Sequence, residues 1–364
     1  VKAVFFILSI FLATAVQAQN NWPSPEVEQM YKQAREYKMQ GNFQQAAITY
    51  KQAIALAPDK VVLYNDLAQV YYLTGAYDDA LEILEPILKN NDGDEQSYQV
   101  KAASLSAKKE FKKAKSTLQE AIKKYPHAGI LYHDLGKLYE DDGANVYALE
   151  SWLDGIEADP AFHINYYEAA RTYMGTKKPV WAVLYAEMFL NIEQHTPRAD
   201  ETRDMLLGAY MRLFSQLGTQ NVPKYKNKKT AVAGTPNNFE EAVNLTYLKL
   251  SPVVSDGINT ENLTMLRTRF LMEWKKTYAN KYPFSLFTRL DDMVRSGYFD
   301  IYNEWVFGKI DNFKEFDIWN KFHPEAIPKL ENWLKTHPYR PVGSDCYNNK
   351  EVDDIFIKEK KDDK

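Results

Sequence analysis

The chain has 364 residues and a formal net charge of −4, so no basic field recommends nucleic acid as a partner. Its single cysteine, Cys346, excludes an intrachain disulfide framework, and the fold must rest on ordinary core packing. The length suits one large or two medium domains, and an aromatic content of 14%, with 25 tyrosines, suits helix packing and wet binding surfaces.

The first residues read as a targeting signal. Lys2 gives a positive start, residues 3–16 are apolar, and Val16 and Ala18 stand at the −3 and −1 positions before Gln19. Residues 1–18 are therefore expected to be a secretory signal peptide, too short for a comfortable membrane span, and residues 19–26 a lead-in. No cysteine follows the apolar run to accept lipidation. No later stretch approaches ~18 uninterrupted apolar residues, so the mature chain is expected to be soluble and not transmembrane.

From residue 27 one pattern recurs at intervals of about 34 residues, over units 27–60, 61–94, 95–128 and 129–162. Small residues (Ala34, Ala68, Ala102, Gly136) let the two helices of a unit approach, and Ala46, Ala80, Ala114 and Ala148 do so from the second helix. Tyr37, Tyr71, Leu105 and Tyr139 fill the space beside them. Gly41, Gly75 and Gly143 suit the positive φ that ends a helix, and Pro58, Pro126 and Pro160 close the units. The departures are local. Lys109 stands at the third turn, Asn145 after the fourth, Asp92 at the second closing position, and Pro86 inside a second helix.

A degraded fifth unit, 163–196, keeps Tyr166, Ala169, Ala170, Tyr173, Ala182 and Ala186, with Pro179 expected to disturb its turn. Pro197 then breaks the chain. Asp204, Leu207, Gly208 and Met211 suggest the first helix of a sixth unit, its second helix postponed to the Phe239–Glu240–Glu241–Ala242 run. Residues 197–250 are read as capping helices around a polar loop, 216–237, that carries Lys224, Lys226, Lys228 and Lys229.

Residues 251–345 lose the period but stay helical. Thr260 is the expected N-cap of a helix with Leu263, Leu266, Phe270 and Trp274 on one face. Pro283 starts the next, with Leu286, Phe287, Leu290, Met293 and Val294. Tyr302, Trp305 and Val306 mark a third. Phe313, Phe316, Trp319 and Phe322 recur at three-residue spacing on a fourth, and Leu330, Trp333 and Leu334 mark a fifth. These aromatics read as core; the alternative is an exposed platform for peptide, lipid or glycan. Residues 346–364 read as a charged, frayed tail.

The phased positions resemble the tetratricopeptide repeat. The resemblance implies an all-α fold, a right-handed superhelical solenoid continued by the C-terminal helical region, with first helices lining a concave side where partner segments bind. Carried over from that family, the groove positions are Tyr31, Arg35 and Lys38; Asn65, Gln69 and Tyr72; Gln96, Gln99 and Ser106; His133, Lys137 and Glu140; and Tyr167, Arg171 and Met174. The family's chaperone-binding carboxylate clamp needs Lys and Asn on the first unit's groove and Lys and Arg on the third's. Here those places hold Tyr31, Arg35, Gln96 and Val100, and only Asn65 matches, which argues against capture of a chaperone C-terminus. Most of the mature chain is also similar to envelope tetratricopeptide proteins of Bacteroidetes bacteria, a resemblance that implies a periplasmic or outer-envelope location and brings no activity with it.

Signals for catalysis are poor. The six histidines (127, 133, 163, 195, 323, 337) show no metal-ligand spacing. Asp141–Asp142 and Asp291–Asp292 are adjacent pairs whose side chains diverge by about 100° on a helix. Cys346 has no sequence cue for a catalytic partner, no glycine-rich phosphate loop occurs, and no cofactor is expected. The sequence thus points to a non-enzymatic scaffold in the bacterial envelope that binds a protein partner or extended peptide. The alternative is an enzyme or glycan-binding protein with its site among Trp274, Trp305, Trp319 and Trp333, the repeats serving as a docking arm.

Overall fold

A computed structural model describes residues 22–219, 236–343, 347–348 and 355–356. The signal peptide, Lys224, Lys226, Lys228, Lys229 and Cys346 lie outside them. The described residues are all-α, apart from one isolated antiparallel bridge between Thr176 and Phe356.

Five helix pairs come first: α1 Pro25–Met39 with α2 Phe43–Leu56, α3 Val61–Leu73 with α4 Tyr77–Lys89, α5 Glu95–Ala107 with α6 Phe111–Lys124, α7 Gly129–Asp141 with α8 Asn145–Ala158, and α9 Ile164–Met174 with α10 Pro179–Ile192. Their ends follow local chemistry. Ser24 caps α1 by accepting from Val27 N, and Asp94 and Ser97 form a reciprocal capping box at α5. The turns within the first, second and fourth pairs place Gly41, Gly75 and Gly143 at φ 74°, 79° and 73°, while the third places Lys109 at φ 62°. Close approach within a pair is clearest at Gly136, where a Cβ would fall inside the Trp152 indole.

The chain forms two compact units, divided between Tyr125 and Pro126. In the first, Ala34, Ala46, Tyr50, Ala53, Leu63 and Leu67 build one cluster, and Ala68, Ala80 and Leu84 build another. In the second, one core runs from Leu149 through the fifth pair to Leu334, Tyr339 and Ile355. The repeats of this unit and the aperiodic C-terminal helices therefore share a single interior.

Several local expectations shift. Pro179 and Pro197 each occupy the first turn of a helix, α10 and α11 (Pro197–Thr219), where the missing N–H costs nothing, and the chain breaks between Ile192 and Pro197. α11 continues to Thr219, so residues 216–219 of the expected loop are helical. It meets α12 (Phe239–Leu250) through Tyr210, 6.0 Å from Tyr247, and Phe214, 5.9 Å from it. α12 is also shared: its Phe239 packs on Trp181 and on Trp274 and Phe284.

A 3-10 turn, Ser251–Val254, leads to α13 (Thr260–Thr277). The cap of α13 is Asn259, which accepts from Asn262 N at 2.8 Å; Thr260 is the first helical residue and donates to Asp311 instead. α14 is Ser285–Arg295 and α15 Phe299–Asn303, extended by a π turn, Glu304–Gly308, and a last turn, Lys309–Asp311. α16 (Phe313–Phe322) and α17 (Ala326–Thr336) follow. The core reading holds for α13, α14, α15 and α17 but not for α16, which buries no residue and leaves Phe313 and Phe322 61% and 79% exposed. The tail also departs from expectation at its described residues: Tyr347 stacks on Phe239 at 4.0 Å, and Ile355 is buried.

Candidate functional site

In the first unit the first-helix face is carried by α1, α3 and α5. Tyr31 is buried, with Trp22 4.7 Å from its ring and the Arg35 guanidinium over it at 5.6 Å. Burial, reinforced by Asp66, pushes the Tyr31 phenol well above its usual range. Lys38 reaches across to α3, donating to Asp66 at 2.5 Å and Gln69 at 2.8 Å. Asn65 is fully enclosed. Its amide donates to Asp94 at 2.8 Å and its carbonyl oxygen accepts from Ser97 at 2.7 Å, so it staples α3 to the cap of α5 and is not presented to a ligand. The accessible members of this face are Arg35, exposed, and Lys38, Tyr72, Gln96, Gln99 and Ser106, half-buried.

In the second unit the face on α7 and α9 is an ionic ladder. His133 is buried between Asp134 (3.0 Å) and Glu168 (3.7 Å). Burial opposes its protonation, but the two carboxylates outweigh burial and raise its pKa. Arg171 donates to Glu168 at 2.7 Å and to Glu140, and Lys137 also donates to Glu140. Burial would raise the Glu168 carboxyl, yet His133, Arg171 and Lys137 hold it down at about 2. Tyr167 is buried, donates to Glu201 at 2.8 Å and carries Arg198 at 5.4 Å over its ring. Of the six groove residues expected on this face, His133, Lys137, Glu140 and Arg171 form one network, Tyr167 belongs to the next, and Met174 packs half-buried against the core. Their charges are compensated internally, which leaves this face less open to an ionic ligand than that of the first unit.

The C-terminal aromatics are divided between core and surface. Trp274 and Trp333 are buried, while Trp305 and Trp319 are half-buried. At the centre of the second unit Glu187 accepts from Arg267 at 2.6 Å and from Tyr302 at 2.7 Å, and Asn191 donates to Tyr302 at 3.0 Å. The adjoining cavity of about 10 Å³ has room for about one water. A larger cleft of about 490 Å³ is lined by Lys178, Val180, Leu213, Leu217, Glu241 and Leu248, among others. Among the described residues no group of three or more His, Cys, Asp or Glu could hold a metal ion.

Two tetratricopeptide repeat family models match, at residues 38–103 and 99–128. Residues 38–128 are tetratricopeptide repeats. A tetratricopeptide repeat and J domain-containing co-chaperone of Cryptococcus neoformans is 28% identical over 114 residues, 31% of this chain and 22% of that protein. The chain thus spans about a fifth of that relative's length. The solved structure of pilF from Pseudomonas aeruginosa is 18% identical, with a TM-score of 0.41 over 56% of this chain and 97% of the other. A tetratricopeptide repeat protein from Parabacteroides merdae is 12% identical, with a TM-score of 0.37 over 73% and 97%.

The tetratricopeptide groove positions pointed to Glu140 but not to the other carboxylates of the ladder. Glu168 and Glu201 are partners that emerge only when neighbouring units are stacked. The available signal was the separation of paired groups by roughly one period: Tyr167 and Glu201 are 34 residues apart, Asn65 and Asp94 29, and Arg171 and Glu140 31. Paired charges at such separations in a tetratricopeptide array are candidates for contacts between units.

Proposed function

We propose that the chain is a non-enzymatic protein-interaction scaffold of the bacterial envelope, holding an extended segment of a partner on the first-helix face of α1, α3 and α5. Tetratricopeptide proteins bind protein or peptide partners, and such a repeat covers residues 38–128. The observation that carries the reading is the open side of this face. Arg35 is exposed above a buried tyrosine, and Tyr72, Gln96 and Gln99 stand half-exposed on a floor fixed by the Lys38–Asp66 and Asn65–Asp94 bonds. Amide side chains suit hydrogen bonding to an extended backbone, and a rigid floor lowers the ordering cost of binding. Trp274 and Trp333 are committed to the core and unable to stack on a sugar, which weighs against a glycan site there.

The test must avoid the buried positions, because Tyr31→Ala or Asn65→Ala would damage the fold. A variant carrying Arg35→Glu, Tyr72→Ala, Gln96→Ala and Gln99→Ala is expected to keep its melting temperature and lose the partner that the unaltered chain recovers from cross-linked envelope extract. Equal recovery by both would remove this face from the account. The envelope location rests on the signal-like residues 1–18. Fractionation with and without them tests it separately, and a chain that stays cytoplasmic with the segment intact would overturn it.

A further inference from the structure

The C-terminal residues make a contact that neither the repeat nor the charged composition of the tail explains. Tyr347 lies flat on Phe239, with ring centroids 4.0 Å apart and planes 5° apart. It also meets Phe284 edge-on at 5.8 Å and Tyr282 at 6.3 Å. Its carbonyl oxygen accepts from the Tyr185 hydroxyl at 3.1 Å. Further on, the Ile355 carbonyl accepts from Lys177 N at 2.8 Å, Ile355 is only 5% exposed, and Phe356 pairs with Thr176 as an antiparallel bridge. The turn between α9 and α10 thus offers its backbone to a passing extended segment, and α10, α12 and the start of α14 offer an aromatic cradle to a ring upstream of it. Thr176 is itself fully buried and braced, with its carbonyl accepting from Arg212 at 3.0 Å and its hydroxyl donating to Tyr173 at 2.8 Å. The receiving edge is therefore braced from α9 and α11 as well as by the tail.

We propose that this edge and cradle form a second peptide-binding site, filled in cis by the chain's own Tyr347 and Ile355–Phe356. Its ligand class is an extended segment with an aromatic residue followed, several residues on, by an aliphatic–aromatic pair. Backbone pairing at Lys177 and Thr176 gives register, and the stacked ring and buried aliphatic side chain give selectivity, as in strand addition to an exposed edge. A site of this kind binds the same segment in trans once the resident one is weakened, because a tethered ligand competes at high effective concentration. The site is distinct from the first-helix face of the first unit, and its failure would leave that proposal untouched.

The experiment uses the full chain. Tyr347→Ala with Ile355→Asp weakens the resident segment, and the probe is a fluorescein-labelled synthetic peptide of residues 344–358 with its cysteine replaced by serine. Anisotropy is expected to show saturable binding to this variant at least ~10-fold tighter than to the unaltered chain, whose site is occupied. Hydrogen exchange supplies the local readout. The Lys177 amide should be protected in the unaltered chain, exposed in the variant, and protected again when the peptide is added. A Lys177 amide that exchanges freely in the unaltered chain would overturn the proposal, as would a folded variant that ignores the peptide or a peptide bound equally by both chains. Should the double substitution unfold the protein, Ile355→Ala alone permits the same comparison.

Discussion

At the residue scale, the third turn carries a measurable strain. Lys109 adopts a φ of 62°, in the place that glycine fills in three of the neighbouring units. A side chain in that conformation costs about 1–2 kcal/mol, whereas glycine loses roughly 0.5–1 kcal/mol in extra backbone entropy on folding. Lys109→Gly is therefore expected to stabilise the chain by up to about 1 kcal/mol, read as a higher urea midpoint at unchanged m-value. A lower midpoint would mean that the Lys109 side chain makes a compensating contact. The opposite sign is expected inside the second unit. Arg267 is 3% exposed and lies between Glu187 and Asn303. Arg267→Met leaves a buried carboxylate without its cation, for an expected loss of about 3–5 kcal/mol, while Arg267→Met with Glu187→Gln should recover much of it. A double variant as unstable as the single one would show that packing and not charge sets the cost.

At the element scale, α16 is the exception that periodicity concealed. Aromatics at three-residue spacing place Phe313, Phe316, Trp319 and Phe322 along a helix, and helicity was the part the sequence could show. Whether another element covers that helix depends on chain that returns from elsewhere, and here Phe316 lies against Gly308 of the π turn while Phe313 and Phe322 stay exposed. Phe322→Ser is accordingly expected to change stability by less than about 0.5 kcal/mol, whereas Trp333→Ala on the neighbouring α17 should cost about 3–5 kcal/mol. A large loss at Phe322 would mean that the helix is covered in solution. The same reasoning explains what was legible elsewhere. The helix pairs were readable because the small residues Ala34, Ala68 and Gly136 serve contacts within one unit, close in sequence. Asn65 and Glu168 were not, because their partners lie 29 and 35 positions away, Asp94 at the cap of α5 and His133 on α7, and a groove position says nothing of what already fills it. At the described residues of the tail the reason is related: Tyr347 and Ile355 are two anchors in a stretch whose bulk composition is charged.

At the scale of the whole molecule, the two compact units differ in how their contacts are distributed. The first is built of neighbouring helix pairs, whose stability is approximately a sum of local terms. The second is tied by long loops of sequence, with Glu187 bonded to Arg267 80 residues away and to Tyr302 115 away. Its unfolding should be the more cooperative, and it can be followed separately, since Trp22 alone of the seven tryptophans precedes Pro126. Acid supplies the discriminating variable. The Glu168 carboxyl titrates at about 2 when folded against 4.5 for the free side chain, so its contribution is fully present above pH 4.5 and is lost as pH falls through 2. That depression corresponds to about 3 kcal/mol. His133 acts in the other direction: its raised pKa contributes stability below pH 6.5 that disappears as pH rises through the folded value. Tryptophan fluorescence melts in urea should therefore lose midpoint steadily from pH 4.5 toward 2, and Glu168→Gln should flatten that slope while lowering the midpoint at pH 5. Far-ultraviolet circular dichroism, which reports both units, should show the first unit's portion of the transition unchanged by Glu168→Gln. A slope that survives the substitution would assign the acid sensitivity to other carboxylates and deny the ladder on α7 and α9 its energetic role.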